Sequence, residues 1–165
     1  FSYVGSWGIS ALHAGAKSVA CIDQSPLALE YAANNARAIN REMETLAGDA
    51  LEVMRRLHDE RRKFETIVLD PPALVKRKKD QAAGETHYRR LHEAAFKLLA
   101  EDGFLITASC SHHLPVDRLQ RIALDAAREV GRRMQILERH GHGPDHPVHP
   151  AMPETEYLKA LYLRA

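Results

Sequence analysis

Short apolar runs alternate with segments of helical periodicity along this 165-residue chain. Continuous apolar runs are typical of strands covered on both faces, and a helix between two strands favours their parallel pairing. The alternation therefore predicts an α/β fold with a mainly parallel sheet. The predicted strands are residues 18–22, 44–47, 64–69, 104–109, 134–138 and 157–163, and the predicted helices are residues 9–14, 26 to about 41, 51 to about 60, 87–100 and 116 to about 130.

The last two predicted strands have no helix between them, so we expect them to pair antiparallel at one edge. Residues 1–4 have the character of the tail of a further strand, and we expect the chain to be a fragment of a longer protein. Residues 73–85 are polar and basic and are predicted to form a mobile loop, whereas residues 141–153 are predicted to be irregular. No linker or repeat interrupts the pattern, which favours one domain over residues 1–165.

Composition narrows the class of protein. No run approaches the roughly 20 apolar residues that span a bilayer, and no export signal opens the chain, so we expect no membrane association. Cys21 and Cys110 lie in separate apolar runs, which favours free thiols in a reducing cytoplasm. Three of the ten histidines lie in the irregular stretch and a fourth, His140, directly precedes it, but their spacing matches no standard zinc pattern, and no metal is predicted.

Two of the apolar runs end in short motifs that carry reactive side chains. Residues 66–69 run into Asp70-Pro71-Pro72, and residues 104–108 run into Ser109-Cys110-Ser111. If these runs are neighbouring parallel strands, the acid and the thiol emerge at the same carboxyl edge, where open α/β sheets bind ligands. The pair suggests covalent chemistry on a bound substrate. The alternative is that Cys110 is a small buried hydrophobe at a strand end.

Other ligand-binding groups are predicted at the same edge. Gly5 and Gly8 would let the backbone approach a ligand at the start of a helix, although a tight turn explains them equally well. Asp23 ends a predicted strand and can accept the ribose hydroxyls of a nucleoside cofactor, or it can cap the following helix beside Ser25. Asp49 ends the next strand and is expected near the adenine amine of the same cofactor.

The order of these motifs resembles that of the class I S-adenosylmethionine-dependent methyltransferases. More narrowly, it is similar to the bacterial 23S ribosomal RNA cytosine-5 methyltransferases that carry an N-terminal PUA domain. The resemblance covers nearly all of the chain and implies a Rossmann-like, mainly parallel seven-stranded sheet, with a truncated first strand and an antiparallel last strand. The motifs that carry it are Gly5-Ser6-Trp7-Gly8, Asp23, Gly48-Asp49-Ala50, Asp70-Pro71-Pro72, Ser109-Cys110-Ser111, Asp145-His146-Pro147 and residues 153–159.

The resemblance also implies roles for individual residues. Cys110 would add to carbon 6 of cytosine as a thiolate, and Asp70 would hydrogen-bond the N3 or amino edge of the base. Lys76, Lys78 or His112 could supply the positive charge that a thiolate needs. The implied cofactor-binding residues are Tyr3, Gly5, Gly8, Asp23, Gln24, Ser25, Asp49, Ala50 and Asp70, and the implied substrate-binding residues are Pro71, Pro72, Lys76, Lys78 and His112.

The implied cofactor is S-adenosylmethionine, the implied substrate is 23S ribosomal RNA, and a homodimer is left open. Ala73 stands where many RNA cytosine-5 methyltransferases have a second cysteine, so product release would depend on another group. The basic run Lys76-Arg77-Lys78-Lys79 suits RNA phosphates, or it is a solvated loop tip.

Two other functions stay open: methylation of another RNA position such as guanine N7, and a non-catalytic RNA-binding module.

Overall fold

The computed structural model describes residues 1–165, which form two compact units, Phe1–Glu60 and Arg61–Ala165. Single-domain organisation stays a prediction, and each unit is described by itself. None of the helices is both long enough and apolar enough to span a membrane. The helices are α1 (Ser6–His13), α2 (Pro26–Ala38), α3 (Ala50–Asp59), α4 (Gln81–Leu98) and α5 (Val116–Glu129), and the strands are β1 (Ala20–Asp23), β2 (Glu44–Ala47), β3 (Phe64–Leu69), β4 (Leu99–Ser109), β5 (Gln135–His140) and β6 (Lys159–Arg164).

The first unit is built on β1 and β2, which pair in parallel with Asp23 opposite Ala47. The two strands are joined through α2, whose first turn is capped as predicted, because the Ser25 hydroxyl accepts a hydrogen bond from the backbone N–H of Ala28 at 3.2 Å. Ala32 is fully buried on the inner face of this helix. The carboxyl ends of β1 and β2 therefore lie at the same edge of this small sheet.

The second unit contains a four-stranded sheet in the order β3-β4-β6-β5. Strands β3 and β4 are parallel, with Leu69 opposite Thr107. Strand β6 runs antiparallel to both of its neighbours, and Lys159 lies opposite Ser109 at its start. The expected antiparallel pairing of the last two strands is thus confirmed. The strand that the first residues were expected to contribute does not form; instead the Ser2 N–H donates to the Ile22 carbonyl oxygen at 3.0 Å.

Helix α4 begins at Gln81, so the mobile loop predicted for residues 73–85 is wrong in its second half. Within this first part of the helix, the Gln81 amide donates to Glu85 at 2.9 Å, and Glu85 also forms an ion pair with Arg118 of α5. An added Cβ at Gly84 would come within 2.5 Å of a valine side chain in the preceding loop. Close packing and ion pairing therefore extend the helix into a segment of polar sequence.

Strand β4 is longer than predicted, because it begins at Leu99 and takes in the last residues of the predicted helix and the residues between it and the predicted strand. Leu99 lies opposite Phe64 and Phe104 lies opposite Thr66, so more residues of β4 than of β3 lie between the two pairs. Asp102 in this bulged segment has a φ of 57°. An aspartate tolerates this left-handed conformation better than most residues. The segment between the two pairs is therefore an irregularity within the strand.

The interior of the second unit contains an imidazole, His92 of α4, which is 0% exposed. One ring nitrogen, Nδ1, lies 2.6 Å from the Tyr88 carbonyl oxygen and donates to it in the matching tautomer, whereas Nε2 has no partner. Burial lowers the pKa of His92 from its ordinary value of 6.5 to about 4, although the hydrogen bond to the Tyr88 carbonyl opposes this shift. The ring is therefore neutral in the folded protein near pH 7.

This histidine predicts a loss of stability in mild acid. The pKa of His92 is lower in the folded than in the unfolded protein, so its contribution is complete above about pH 6.5 and is lost as the pH falls towards about 4. The change corresponds to about 3 kcal/mol. Urea unfolding of the wild type and of His92→Met, near pH 7 and near pH 4, should show a smaller acid loss in the variant. An equal acid loss in both proteins would contradict the assignment.

Candidate functional site

In the first unit, Asp23 lies at the carboxyl end of β1 and organises the backbone around it. One carboxylate oxygen accepts the N–H of Tyr3 at 2.9 Å, and the other accepts the N–H of Ser25 at 2.9 Å. Burial alone would raise the pKa of Asp23, but these two backbone hydrogen bonds lower it. A carboxylate has about four lone-pair sites, so each oxygen keeps acceptor capacity for a ligand.

Asp49 occupies the equivalent position after β2, and it caps α3. Its Oδ1 accepts the N–H groups of Leu51 at 2.9 Å and of Glu52 at 3.2 Å, and its Oδ2 accepts the side-chain amide of Gln24 at 3.2 Å. Ala50, also predicted at the site, is the buried first residue of the helix. The first unit therefore brings together the predicted residues at its two strand ends, and capping is one role of Asp49.

Gly5 and Gly8 allow close packing around α1. Gly5 has a φ of 85°, and an added Cβ would lie 2.9 Å from the Cβ of Ala32. A Cβ on Gly8 would lie 2.9 Å from Val19 and 3.0 Å from the sulfur of Cys21. Packing within the protein thus explains both glycines, which supports the tight-turn alternative without excluding a ligand beside the turn. Cys21 is buried, and burial raises the pKa of its thiol.

In the second unit, Asp70 and Cys110 leave the same edge of the sheet, as the sequence predicted. Leu69 lies opposite Thr107 in the parallel pair β3–β4, and the two motifs follow directly after these residues. Asp70 is exposed, Pro71 is buried, and Cys110 is half-buried. Cys110 is therefore partly exposed at the strand end, which does not fit the alternative of a fully buried hydrophobe.

A buried hydrogen-bond cluster joins the loops that follow β3 and β4. The Ser111 hydroxyl accepts the backbone N–H of Val75 at 3.1 Å, across the two loops. The Ser109 hydroxyl accepts the phenol O–H of Tyr88 at 2.9 Å and the N–H of Ser111 at 3.2 Å. The Lys159 ammonium donates to the carbonyl oxygens of Ser111 at 2.6 Å and of Leu114 at 2.8 Å. We call Tyr88, Ser109, Ser111 and Lys159 the serine cluster.

Two members of the serine cluster were not predicted as site residues. Tyr88 lies on α4, where helical periodicity indicates only a core position, and burial raises the pKa of its phenol. Lys159 begins β6, and its buried position follows from strand pairing that a sequence pattern does not show. Its place within the predicted strand of residues 157–163 was the available signal. Both residues contact the motif that contains Cys110 from other elements of the fold.

The remaining predicted substrate residues are exposed. Lys76 precedes and Lys78 begins a single 3-10 turn, and His112 follows the cysteine motif with its ring against that of His113. A further cation, the Lys159 ammonium, reaches the Cys110 motif through its hydrogen bond to the Ser111 carbonyl oxygen. The expectation that Lys76, Lys78 or His112 supplies positive charge to the thiol stays a prediction, and all three are exposed for contact with a large ligand.

One histidine of the stretch predicted to be irregular, His142, has a structural role. His142 Nε2 accepts the backbone N–H groups of Tyr157 and Leu158, both at 3.0 Å, and its ring packs edge-on against that of Tyr157. This nitrogen is thus engaged as an acceptor. The structure has no group of three or more histidine, cysteine, aspartate or glutamate side chains placed to hold a metal ion.

Comparisons with known proteins agree with this architecture. The family model described as "Conserved hypothetical protein 95" matches residues 1–137. A relative from Aeromonas salmonicida, named "Ribosomal RNA large subunit methyltransferase I", is 39% identical over 168 residues, which cover all of this chain and 42% of the relative. The chain therefore spans less than half the length of this relative.

Solved structures show the fold. A Streptococcus mutans protein described as a SAM-dependent methyltransferase superposes with a TM-score of 0.86 at 15% identity, covering 100% of this chain and 43% of that one. An O-methyltransferase from Bacillus cereus, solved in complex with SAH, gives a TM-score of 0.68 at 15% identity and covers 99% and 70% of the two chains. The predicted Rossmann-like α/β methyltransferase fold is thus confirmed.

The serine cluster predicts a measurable effect of one hydroxyl. Tyr88→Phe removes the donor to Ser109 and leaves a buried oxygen without that partner, which should lower the free energy of unfolding by about 1–3 kcal/mol. Tyr31→Phe removes a hydroxyl from a ring that is 53% exposed and should change it by less than about 0.5 kcal/mol. Urea unfolding measures both. Equal effects of the two variants would contradict the role given to Tyr88.

Proposed function

Because the chain belongs to the family described as "Conserved hypothetical protein 95" and has the methyltransferase fold, we propose that it is the methyl-transfer region of an enzyme. The proposed reaction moves a methyl group from S-adenosylmethionine to carbon 5 of a cytosine in 23S ribosomal RNA. The observation that carries this proposal is the accessible Cys110 at the same strand edge as Asp70. The name of the Aeromonas relative supports ribosomal RNA of the large subunit as the substrate.

Residues of the first unit fit the adenosine part of the cofactor. Asp23 already accepts two backbone N–H groups, and its remaining lone pairs suit two neighbouring ribose hydroxyls. Asp49 and Gln24 lie at the adjacent strand end, where an adenine amine would find acceptors. The proposed set in this unit is Tyr3, Gly5, Gly8, Asp23, Gln24, Ser25, Asp49 and Ala50. When bound, S-adenosylmethionine supplies a methyl group on a sulfonium, which is an electrophile.

Cys110 is the proposed nucleophile, since carbon 5 of cytosine alone attacks a methyl sulfonium poorly. The thiolate forms a bond to carbon 6, which moves the ring electrons and makes carbon 5 nucleophilic. Asp70 donates to or accepts from the N3 and amino edge and so favours the adduct. After methyl transfer, a base removes the carbon 5 proton and the carbon–sulfur bond breaks, which returns the thiolate. Ala73 is not a thiol, so the chain does not use a second cysteine at that position.

The RNA would meet the same edge of the second unit. Pro71, Pro72 and His112 flank the two motifs, and Lys76 and Lys78 are exposed beside them. Backbone phosphates at these lysines would make binding depend on salt, and a stacked cytosine must be flipped out to reach the thiol. We place this activity in the cytoplasm, where ribosomal RNA is modified and where Cys110 stays reduced.

Covalent trapping tests the role of Cys110. RNA with 5-fluorocytosine at the target position has no carbon 5 proton to lose, so it should stay bound to the full-length protein after methyl transfer. Cys110→Ala should give no denaturation-resistant complex and should lower kcat with normal RNA by on the order of 10³-fold. Cys21→Ala is the matched control and should still trap RNA. Methyl transfer that persists in Cys110→Ala would instead favour a non-covalent reaction such as guanine N7 methylation.

Calorimetry tests the role of Asp23 in cofactor binding. Asp23→Asn removes the negative charge and one acceptor, so the Kd for S-adenosylmethionine should rise by roughly tenfold to a hundredfold, as expected for hydrogen bonds to a charged group. Asp59→Asn, at an exposed position of α3, is the matched control and should keep the wild-type Kd. No detectable heat with wild-type protein would favour a non-catalytic RNA-binding module.

A further inference from the structure

Lys159 is a buried cation at the loop that carries Cys110. Its side chain is only 9% exposed, and it lies opposite Ser109 in the antiparallel pair β4–β6. Burying an ammonium group is costly unless hydrogen bonds or an opposite charge compensate. The hydrogen bonds given above go to the carbonyl oxygens of Ser111 and Leu114. Both carbonyls belong to the loop that begins with Cys110, so the ammonium fixes the backbone of this loop.

The same ammonium lies beside the Cys110 motif, because the carbonyl oxygen that it contacts at 2.6 Å belongs to the next residue, Ser111. Burial lowers the pKa of Lys159, and the Coulomb interaction with Cys110 opposes this shift. Tyr88, from α4, approaches the same motif through its hydrogen bond to Ser109. Because burial raises the pKa of its phenol, Tyr88 is neutral near pH 7 and brings no competing charge. The charge that faces Cys110 from β6 is therefore positive.

We infer that Lys159 is a positioning residue for the proposed methyl transfer, because it holds the loop of Cys110 in place and stabilises the thiolate with its charge. This inference rests on the proposed function. It explains why a charged side chain is buried at this position, since a neutral donor could satisfy two backbone carbonyls. It adds a buried source of positive charge to the exposed Lys76, Lys78 and His112 that the sequence suggested.

Thiol alkylation tests the charge directly in the full-length protein. Lys159→Met keeps an unbranched side chain one atom shorter and removes the charge, so iodoacetamide should modify Cys110 roughly tenfold more slowly near pH 7. Lys159→Arg should restore most of the rate. Lys97→Met, which removes an exposed lysine of α4, is the matched control and should react like the wild type. Unchanged alkylation of folded Lys159→Met would overturn the inference.

A reciprocal measurement does not depend on the folding of a Lys159 variant. In protein with ¹³C-labelled lysine, Cys110→Ser removes the thiolate while keeping a small polar side chain. The midpoint of the Lys159 titration should then move to lower pH, because interaction between two titrating groups is mutual. An unchanged midpoint would overturn the inference. A well-dispersed NMR spectrum of Cys110→Ser would show that this variant is folded.

Turnover separates this inference from the proposed function. Lys159→Met should lower kcat for methyl transfer by roughly tenfold and leave KM for RNA and cofactor near the wild-type values, because the residue acts through the sulfur. Alkylation and titration need neither RNA nor cofactor. If the alkylation rate and the Lys159 titration are both unchanged while the wild type still methylates cytosine, the role of Lys159 alone is overturned. If both change as expected but the wild type methylates no RNA, the proposed function is overturned and the lysine–cysteine interaction is confirmed.

Discussion

The hydrogen bond between the Ser111 hydroxyl and the backbone N–H of Val75 connects the two loops on which the candidate chemistry depends. It is buried, so loss of either partner leaves an unsatisfied polar group and costs about 1–3 kcal/mol. Ser109 and Tyr88 extend the same cluster to α4, and Lys159 extends it to β6. The loop that carries Cys110 is therefore held from three sides by polar contacts, rather than by apolar packing alone.

This arrangement separates positioning from reactivity. The side chains on either side of Cys110 point into the protein and are buried, whereas the cysteine itself is half-buried and accessible. Asp23 and Asp49 of the first unit combine two roles in a similar way, because each organises backbone N–H groups and keeps acceptor capacity. A residue that both shapes a loop and contacts a ligand tolerates substitution poorly, because a substitution disturbs the loop conformation and the ligand contact together.

Much of this architecture follows from local sequence patterns. The sequence predicted strands β2 and β3, the serine cap of α2 and the edge shared by Asp70 and Cys110. These features follow from short-range signals, namely apolar runs that alternate with helical periodicity, and capping residues. The start of α4 was not predicted, because Gly84 and its polar neighbours have the composition of a loop, and the tertiary packing that favours a helix there does not show in the sequence. The burial of Lys159 was not predicted either, because it depends on strand pairing that a local sequence pattern does not show.

The most direct measurement is base-resolution mapping of 5-methylcytosine in 23S ribosomal RNA from cells that lack the full-length gene and carry either the wild-type copy or Cys110→Ser. We expect one cytosine to be methylated with the wild type and unmethylated with the variant, while the variant protein accumulates to a normal level. Methylation of the same cytosine in cells with the serine variant, or in cells without the gene, would contradict the proposal that Cys110 activates the base.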